Sequence, residues 1–163
     1  MRPFNRAALA AAVVCVGLAV VAVVPVLTQA DPQVGVWKLN VAKSKYSPGP
    51  VPTSATTTIE AVGKGTKVSV DQTMPDGSKR QWSVTADYDG KDMPVVGNNP
   101  DADTIARTRV NASTVRTVSK KAGKVTTTQT SAVSADGKTR TVTTKGVNAK
   151  GQTVNNVAIY DRQ

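Results

Sequence analysis

The stretch VGVWKLN, Val34 to Asn40, lies between an apolar N-terminal run and a long polar remainder rich in Thr and Val. Trp37 is one of only two tryptophans among 163 residues, and Gly35 comes two positions before it. Residues Val34 to Leu39 predict a first β-strand, because β-branched and aromatic side chains favour a pleated surface. A tryptophan beside a glycine in a first strand is typical of a core plug, with a cavity wall as the alternative. We therefore assign structural roles to Trp37 and Gly35.

The rest of the polar part has the pattern of short-turn hairpins. Runs rich in Thr and Val are separated by clusters of Gly, Asp, Asn and Pro, which favour turns. We find no convincing amphipathic helix after residue 31. The longest irregular piece is DGKDMPVVGNNPDAD, residues 89–103. Eight strands are predicted to follow the first, over residues 54–62, 67–74, 79–88, 104–111, 114–121, 124–134, 138–148 and 152–161.

These strands are predicted to form one antiparallel meander. Gly123, Gly137 and Gly151 recur every 14 residues, which corresponds to one strand plus one turn. Strands of about ten residues are about 33 Å long. A sheet of about eight to ten such strands with no covering helix must curl on itself to bury one face. The expected fold is therefore all-β, an up-and-down barrel, with a sandwich as the alternative.

The first 30 residues have the features of a secretory signal. Arg2 and Arg6 precede the apolar run Ala7 to Val24, and the small residues Thr28 and Ala30 follow it. We predict an apolar signal helix that is cleaved after Ala30. The alternative is an uncleaved anchor through residues 7–27, because the run approaches the length of about 20 apolar residues that spans a bilayer. The prediction is a signal peptide over residues 1–30 and one barrel domain over residues 31–163, exported to the periplasm or beyond.

Cysteine and histidine chemistry is excluded from residues 31–163. The chain has no His, and its one cysteine, Cys15, lies in the apolar run. Zinc clusters, thiolate nucleophiles and Ser-His-Asp triads therefore lack their essential groups. Glu60 is the only glutamate, and we interpret the aspartates around residues 87–103 as turn residues and not as calcium ligands. We predict no catalysis, no metal and no cofactor.

The charge of the chain is strongly basic. The formal net charge is +10, and Arg2 and Arg6 account for two of these positive charges. A basic exported domain typically meets anionic lipid or acidic polysaccharide, and we expect no nucleic acid partner. The alternative is that Lys and Arg simply coat solvent faces and strand edges, where they prevent edge-to-edge aggregation.

GVW in a first strand, a meander of long strands and an arginine near the end in YDRQ together resemble the lipocalin or calycin type of β-barrel. In that superfamily the first-strand tryptophan packs at the closed end of the barrel. A basic side chain from the last part of the chain covers it. The resemblance therefore implies Trp37 at the barrel base with Arg162 over its ring.

Most of the chain after residue 31 also resembles small exported bacterial proteins that are uncharacterised. The likeness is carried by GVWKLNVAKSKYSPGP, YDGKDMPVVGNNPDADT and KGVNAKGQTVNNVAIYDRQ, which begin at residues 35, 88 and 145. It implies an exported β-domain and brings no biochemical role with it.

Trp82 and Tyr88 are candidates for a ligand site. Period-two alternation in the strand over residues 79–88 places both on one face, with Val84 and Ala86 between them. If this face points into a barrel, the two aromatic rings line a pocket for an apolar or amphipathic ligand. Ordinary core packing is the alternative.

Arg107 is a third candidate, and its role depends on strand register. The strand over residues 104–111 alternates a set with two arginines against a set of smaller residues, and we expect the smaller set to face inward. The opposite register would bury Arg107, and an unpaired interior charge is very costly. It would then predict a fatty acid or another carboxylate ligand. The two sets are Ile105, Arg107 and Arg109, and Ala106, Thr108 and Val110.

Two functions follow from these patterns. In the first, the exported barrel holds a small apolar or amphipathic ligand in its lumen, and the proline-rich connection over residues 40–52 forms a stiff lid. In the second, a filled barrel has a structural or surface-interaction role, and its basic exterior contacts anionic envelope polymers or lipids. A cavity favours the first function, and a full core with clustered Lys and Arg favours the second.

Overall fold

The computed structural model describes residues 30–163, which form eleven β-strands in one antiparallel sheet. The predicted all-β antiparallel architecture is confirmed, and each predicted strand forms close to its predicted bounds. The strands are β1 (Gly35–Leu39), β2 (Ser54–Val62), β3 (Gly65–Thr73), β4 (Lys79–Ala86), β5 (Asp89–Pro94), β6 (Val96–Gly97), β7 (Thr104–Asn111), β8 (Thr114–Lys121), β9 (Lys124–Val133), β10 (Thr139–Val147) and β11 (Thr153–Arg162).

The sheet is a meander that curls into a nearly closed barrel. Its strand order is β5-β7-β8-β9-β10-β11-β1-β2-β3-β4-β6, so most neighbours are also consecutive in the chain. β1 lies between β11 and β2, with Trp37 opposite Arg162 on one side and Thr57 on the other. The first strand therefore joins the last strand to the second.

The segment predicted to be the longest irregular piece contains two strands, and that prediction was wrong. β5 pairs with β7, with Met93 opposite Ile105, whereas β6 pairs with β4, with Gly97 opposite Trp82. A single stretch of chain therefore bridges the two edges of the sheet. Asp, Lys, Gly and Pro have low strand propensity, so only the neighbouring edges make this stretch extended. These two short strands raise the count from the expected eight to ten to eleven.

Alternate side chains of the long strands fill the barrel interior. In β2, for example, Ala55, Thr57 and Ile59 are buried while the residues between them are partly exposed. Threonines occupy many outward positions of β9 and β10, where β-branched side chains suit the pleated surface. The buried apolar residues form one continuous core, made up of Trp37, Leu39, Ala55, Ile59, Val68, Val70, Val84, Ala86, Ala102, Ile105, Val133, Val142, Ala158 and Tyr160.

The two ends of the barrel are built differently. One end, the base, carries residues 31–34 and the turns after β2, β7 and β9. The other end, the mouth, carries the turns after β8 and β10 and the proline strap, residues 45–53. A 3-10 turn over Val41–Lys43, capped by the side chain of Asn40, leads into the strap. Backbone hydrogen bonds join Lys45 to Val157 at 2.7 and 2.8 Å and so fix the strap to β11.

The predicted signal peptide or anchor lies, apart from Ala30, outside the described residues. Between residues 30 and 163, no helix is both long enough and apolar enough to span a membrane.

Candidate ligand site in the barrel interior

Trp37 is completely buried at the base and is fixed from two sides. Its indole Nε1 donates a hydrogen bond to the carbonyl of Gln33 at 2.9 Å. The guanidinium carbon of Arg162 lies 4.2 Å from the centre of the indole ring, which is a cation–π contact. Arg162 also donates to the carbonyl oxygens of Pro32, Val34 and Gly137 at 2.6 to 2.7 Å. The structure therefore places these two residues together as the lipocalin resemblance implies.

Gly35 is required by the same arrangement. Its φ is +139°, a conformation that residues with a side chain rarely adopt. A methyl group at this position would also overlap the Nη1 atom of Arg162. Glycine therefore allows Arg162 to lie flat over Trp37, which explains the Gly-x-Trp spacing in physical terms.

Residues 31–34 close the base as a plug that the sequence patterns did not indicate. Gln33 is fully buried, and its Nε2 donates to the carbonyls of Ser113 and Ser131 at 2.7 and 3.2 Å. Asp31 accepts hydrogen bonds from the Arg109 guanidinium and, at 2.7 Å, from the Tyr88 hydroxyl. Burial alone would raise the pKa of Asp31, but these hydrogen bonds hold it below its ordinary value of 3.8.

Arg107 points into the barrel, so the expectation that the smaller set faces inward was wrong. Its side chain is buried with 3% exposure, whereas Thr108 and Val110 are exposed. Arg107 donates to the Thr66 hydroxyl and lies 5.1 Å from the Tyr88 ring. The Thr66 hydroxyl and the Tyr88 ring offset part of the cost of burying this charge, and a prediction from residue size alone does not include such contacts. Tyr88 and Arg107 therefore meet near the base.

A second buried arginine, Arg140, was not among the predicted site residues. It is 5% exposed on β10, donates from Nε to the Ser131 hydroxyl at 2.6 Å, and lies 5.7 Å from the Tyr160 ring. Burial lowers the pKa of Arg140 to about 10, and the positive charge of Arg107 also acts in this direction. Burial likewise lowers the pKa of Arg107. The alternation of β10, with Arg140 in phase with Val142, was the available signal for its inward direction.

The two buried arginines have no carboxylate of their own. Among residues 30–163 the ion pairs are Arg109 with Asp31, Lys91 with Asp89, and Lys120 with Asp92. Asp31 forms its ion pair with Arg109 and acts on Arg107 only through its nearby charge. Fully buried polar side-chain atoms in the described chain are all hydrogen-bonded. The interior thus lacks negative charge but not hydrogen-bond acceptors.

A cavity of about 330 Å³ extends from the mouth into the barrel. Ile105, Val142 and Tyr160 lie deep in it, and Trp82 forms part of its wall. Tyr88 lies outside the lining, so the structure does not bring Trp82 and Tyr88 into one pocket. The strap contributes Tyr46 and several prolines to the wall, and Arg80, Asp101 and Lys150 are the charged lining residues.

The arginines lie one layer of side chains below this cavity. Arg107 follows Ile105 by two residues in β7, and Arg140 precedes Val142 by two residues in β10, so each lies about 7 Å toward the base. Tyr160 connects the two levels because it lines the cavity and contacts the Arg140 guanidinium. The hydroxyl groups of Tyr160 and the strap residue Tyr46 are hydrogen-bonded to each other. Burial raises the pKa of both tyrosines.

Comparisons with known proteins give one distant structural likeness. No protein-family model matches the sequence, and no curated protein matches it. The chain is similar to the crystal structure of zebrafish ileal bile acid-binding protein complexed with cholic acid, with 16% identity and a TM-score of 0.48. The match covers 81% of this chain and 99% of that chain. A likeness this distant identifies neither a family nor a ligand for this protein.

Proposed function

We propose that the barrel binds one small amphipathic anion, with its apolar part in the cavity and its acidic group directed toward Arg140 and Arg107. The observation that carries this proposal is a pair of buried guanidinium groups with no carboxylate ion-pair partner, one layer below a cavity whose wall is part apolar and part polar. Of the predicted ligand contacts, Trp82 would contact the apolar part and Arg107 the charge. Tyr88 would act indirectly through its contact with Arg107.

The charge argument is the stronger half of the proposal. Removing an ion from water costs several kcal/mol after relaxation of the protein, and a nearby opposite charge offsets this cost. Because the pKa of Arg140 is about 10, its guanidinium stays charged near neutral pH. An acidic ligand group would supply the negative charge that the interior lacks.

The size and shape of the cavity limit the ligand. A volume of about 330 Å³ lies at the lower end of the usual range for small-molecule sites, so a short chain or a single small ring system fits best. An acidic group on the cavity floor would lie one side-chain layer from both guanidinium groups. Direct contact requires the Tyr160 ring to rotate aside. We therefore expect Tyr160 to change its environment on binding.

Calorimetric titration with octanoate, octan-1-ol and octylamine tests the proposal. We expect octanoate to bind at least about tenfold more tightly than the alcohol, since a hydrogen bond to a charged group contributes about 1.5 to 3 kcal/mol. Arg140→Met should remove most of this difference and leave the alcohol unaffected. Arg116→Met, at an exposed position of β8, is the matched control and should change neither ligand. Equal binding of acid and alcohol by the natural protein would overturn the proposal.

Stability measurements separate lost binding from lost folding. A buried arginine without an acid partner lowers stability, so Arg140→Met should raise the free energy of unfolding by about 1 to 4 kcal/mol. The pH dependence gives an independent check. Because the pKa of Arg140 is about 10, the advantage of octanoate over octanol should decline as the pH rises through 10. An advantage of octanoate that persists in Arg140→Met at every pH would assign the acid contact to another group.

The remaining parts of the proposal concern role and location. We propose a binding role without catalysis, because the residues that contact the cavity include no histidine or cysteine and no recognisable nucleophile with its base. We also propose export, with residues 1–30 either cleaved or retained as an anchor. Mass spectrometry of the protein recovered from its cells would give its N-terminus and distinguish these two outcomes.

A further inference from the structure

Lysines and valines share one exposed region of the outer wall, near the mouth. β10, β11 and the segment after β1 are neighbours there, and Lys45 pairs with Val157, which in turn lies opposite Thr143. Lys145 lies two residues from Thr143 on the same outward face. We name this region the basic patch, and its six residues, all exposed, are Val41, Lys43, Lys45, Lys145, Val147 and Val157.

The chemistry of the basic patch combines charge with apolar surface. Val41, Val147 and Val157 are 43%, 47% and 36% exposed, whereas threonine and asparagine hold half of the outward positions of β10 and β11. Asp161 accepts a hydrogen bond from Asn40 at 2.8 Å, and Asp101 accepts one from the amide of Ala149 at 3.0 Å. None of the ion pairs among residues 30–163 involves Lys43, Lys45 or Lys145, and all three lysines are exposed to solvent.

We infer that the basic patch docks onto an anionic lipid bilayer. Lysines near a membrane surface are attracted to acidic head groups, and valines between them can enter the interfacial region. A soluble polyanion would use the lysines but would gain nothing from exposed valines, so the combination favours a bilayer. Lys150 and Lys124 at the adjacent turns extend the positive charge toward the mouth. A docked barrel would therefore hold its mouth close to the bilayer.

The experiment measures contact at the patch itself. The probe is a fluorescent dye on Thr143→Cys, with Cys15→Ser, in protein recovered from cells with its N-terminus determined by mass spectrometry. This dye reports burial of the patch whether or not the N-terminal segment also inserts. Vesicles of phosphatidylcholine are compared with vesicles that contain about one third phosphatidylglycerol. We expect a dye response only with the anionic vesicles, and we expect it to weaken at high salt.

Matched variants separate the bilayer from other occupants. Reversing Lys43, Lys45 and Lys145 to Glu should weaken vesicle binding at least about thirtyfold, whereas the same change at three exposed lysines near the base should have a much smaller effect. Replacing the three patch valines by Ser should weaken binding about threefold to tenfold. The base lysines for the control are Lys64, Lys67 and Lys138.

Three results would overturn the inference. The first is a dye response that is equal for the two vesicle types. The second is a valine variant that binds vesicles as well as the parent while dextran sulfate competes fully, which would identify a soluble polyanion as the partner. The third is a response that depends on protein concentration without vesicles, which would identify a second copy of the chain. The same variants are also titrated with octanoate, and their affinity for it should be unchanged because the patch residues lie outside the cavity lining. Vesicle binding and lumen binding can therefore fail separately.

Discussion

The base of this barrel is closed by buried side chains, whereas its mouth opens into a cavity. At the base, Trp37 and Gln33 are completely buried, and their polar atoms are hydrogen-bonded to backbone and hydroxyl groups. At the mouth, a cavity remains, and backbone hydrogen bonds to β11 hold the strap that borders it. The difference shows that the closed end and the cavity are separated along the barrel axis. The base buries side chains completely, and the mouth leaves the space that we propose as a binding site.

The buried arginines lie where these two regions meet. Arg109 is paired with Asp31 and belongs to the base, whereas Arg107 and Arg140 are left with hydroxyl and aromatic partners. A purely structural interior would be more stable with apolar residues at these positions. Their presence next to the cavity is therefore the feature of the interior that calls for a functional explanation.

The contrast between base and mouth predicts the largest difference in stability for substitutions of the two tryptophans. Trp37→Ala removes a fully buried ring and its cation–π contact with Arg162, so the free energy of unfolding should fall by about 3 to 5 kcal/mol. Trp82→Ala changes a half-buried cavity wall, and a loss of about 1 to 2 kcal/mol is expected. Urea unfolding followed by circular dichroism measures both values. Equal losses would mean that the mouth is as important for stability as the base.

The next effect concerns the glycine beneath Arg162. Gly35→Ala forces a strained φ and displaces Arg162 from Trp37, and we expect a loss of about 2 to 3 kcal/mol. Gly63→Ala is the control. Its φ is +57°, but an added methyl group would meet no atom within 4 Å, so only the strain of about 1 kcal/mol remains. If the two variants lose the same stability, the contact with Arg162 contributes nothing and backbone conformation alone explains Gly35.

Much of the fold could be predicted from the sequence, because the long strands carry a local signal. Thr-Val runs and turn dipeptides gave the nine longer strands, and Gly35, Trp37 and Arg162 indicated the base. β5 and β6 could not be predicted in this way. Their residues have poor strand propensity, and only the free edges of β4 and β7 hold them extended.

The candidate site was less predictable, because it depends on contacts between distant residues. Period-two alternation made Trp82 a candidate for an inward face, and it lines the cavity. Arg107 was expected to face outward on grounds of size and charge, yet Thr66, which is 41 residues away, and Tyr88 receive it. Arg140 is likewise buried against residues that are distant in sequence, because it contacts Ser131 and Tyr160. Such contacts between strands can be predicted only once the strand pairing is known.

The plug at the base gives the third prediction, which depends on pH. Asp31 has a pKa below 3.8 in the folded protein, so it contributes stability above that pH and loses it as the pH falls through its folded pKa. Asp31→Asn should therefore lower the free energy of unfolding by about 1.5 kcal/mol at neutral pH. The difference should shrink as the pH falls below 3.8 and vanish below the folded-state pKa of Asp31.

Thermal unfolding of the two proteins between pH 2 and pH 7 measures this dependence. Asp87→Asn, at an exposed position between β4 and β5 near the base, serves as the control and should change stability very little. A difference between Asp31→Asn and the natural protein that stays constant down to pH 2 would show that the carboxylate charge is not what holds the plug.

The smallest expected effect belongs to the mouth. Asn156 accepts a hydrogen bond from the Ser47 amide at 2.9 Å, while the backbone bonds between the strap and β11 do not involve its side chain. Asn156→Ala should therefore cost only about 0.5 to 1 kcal/mol, and hydrogen exchange at the Ser47 amide should rise. Asn155→Ala, at the exposed neighbouring position, is the control and should leave that exchange unchanged. If exchange also rises at the Trp37 backbone amide, the mouth and the base unfold as one unit and the separation between them fails.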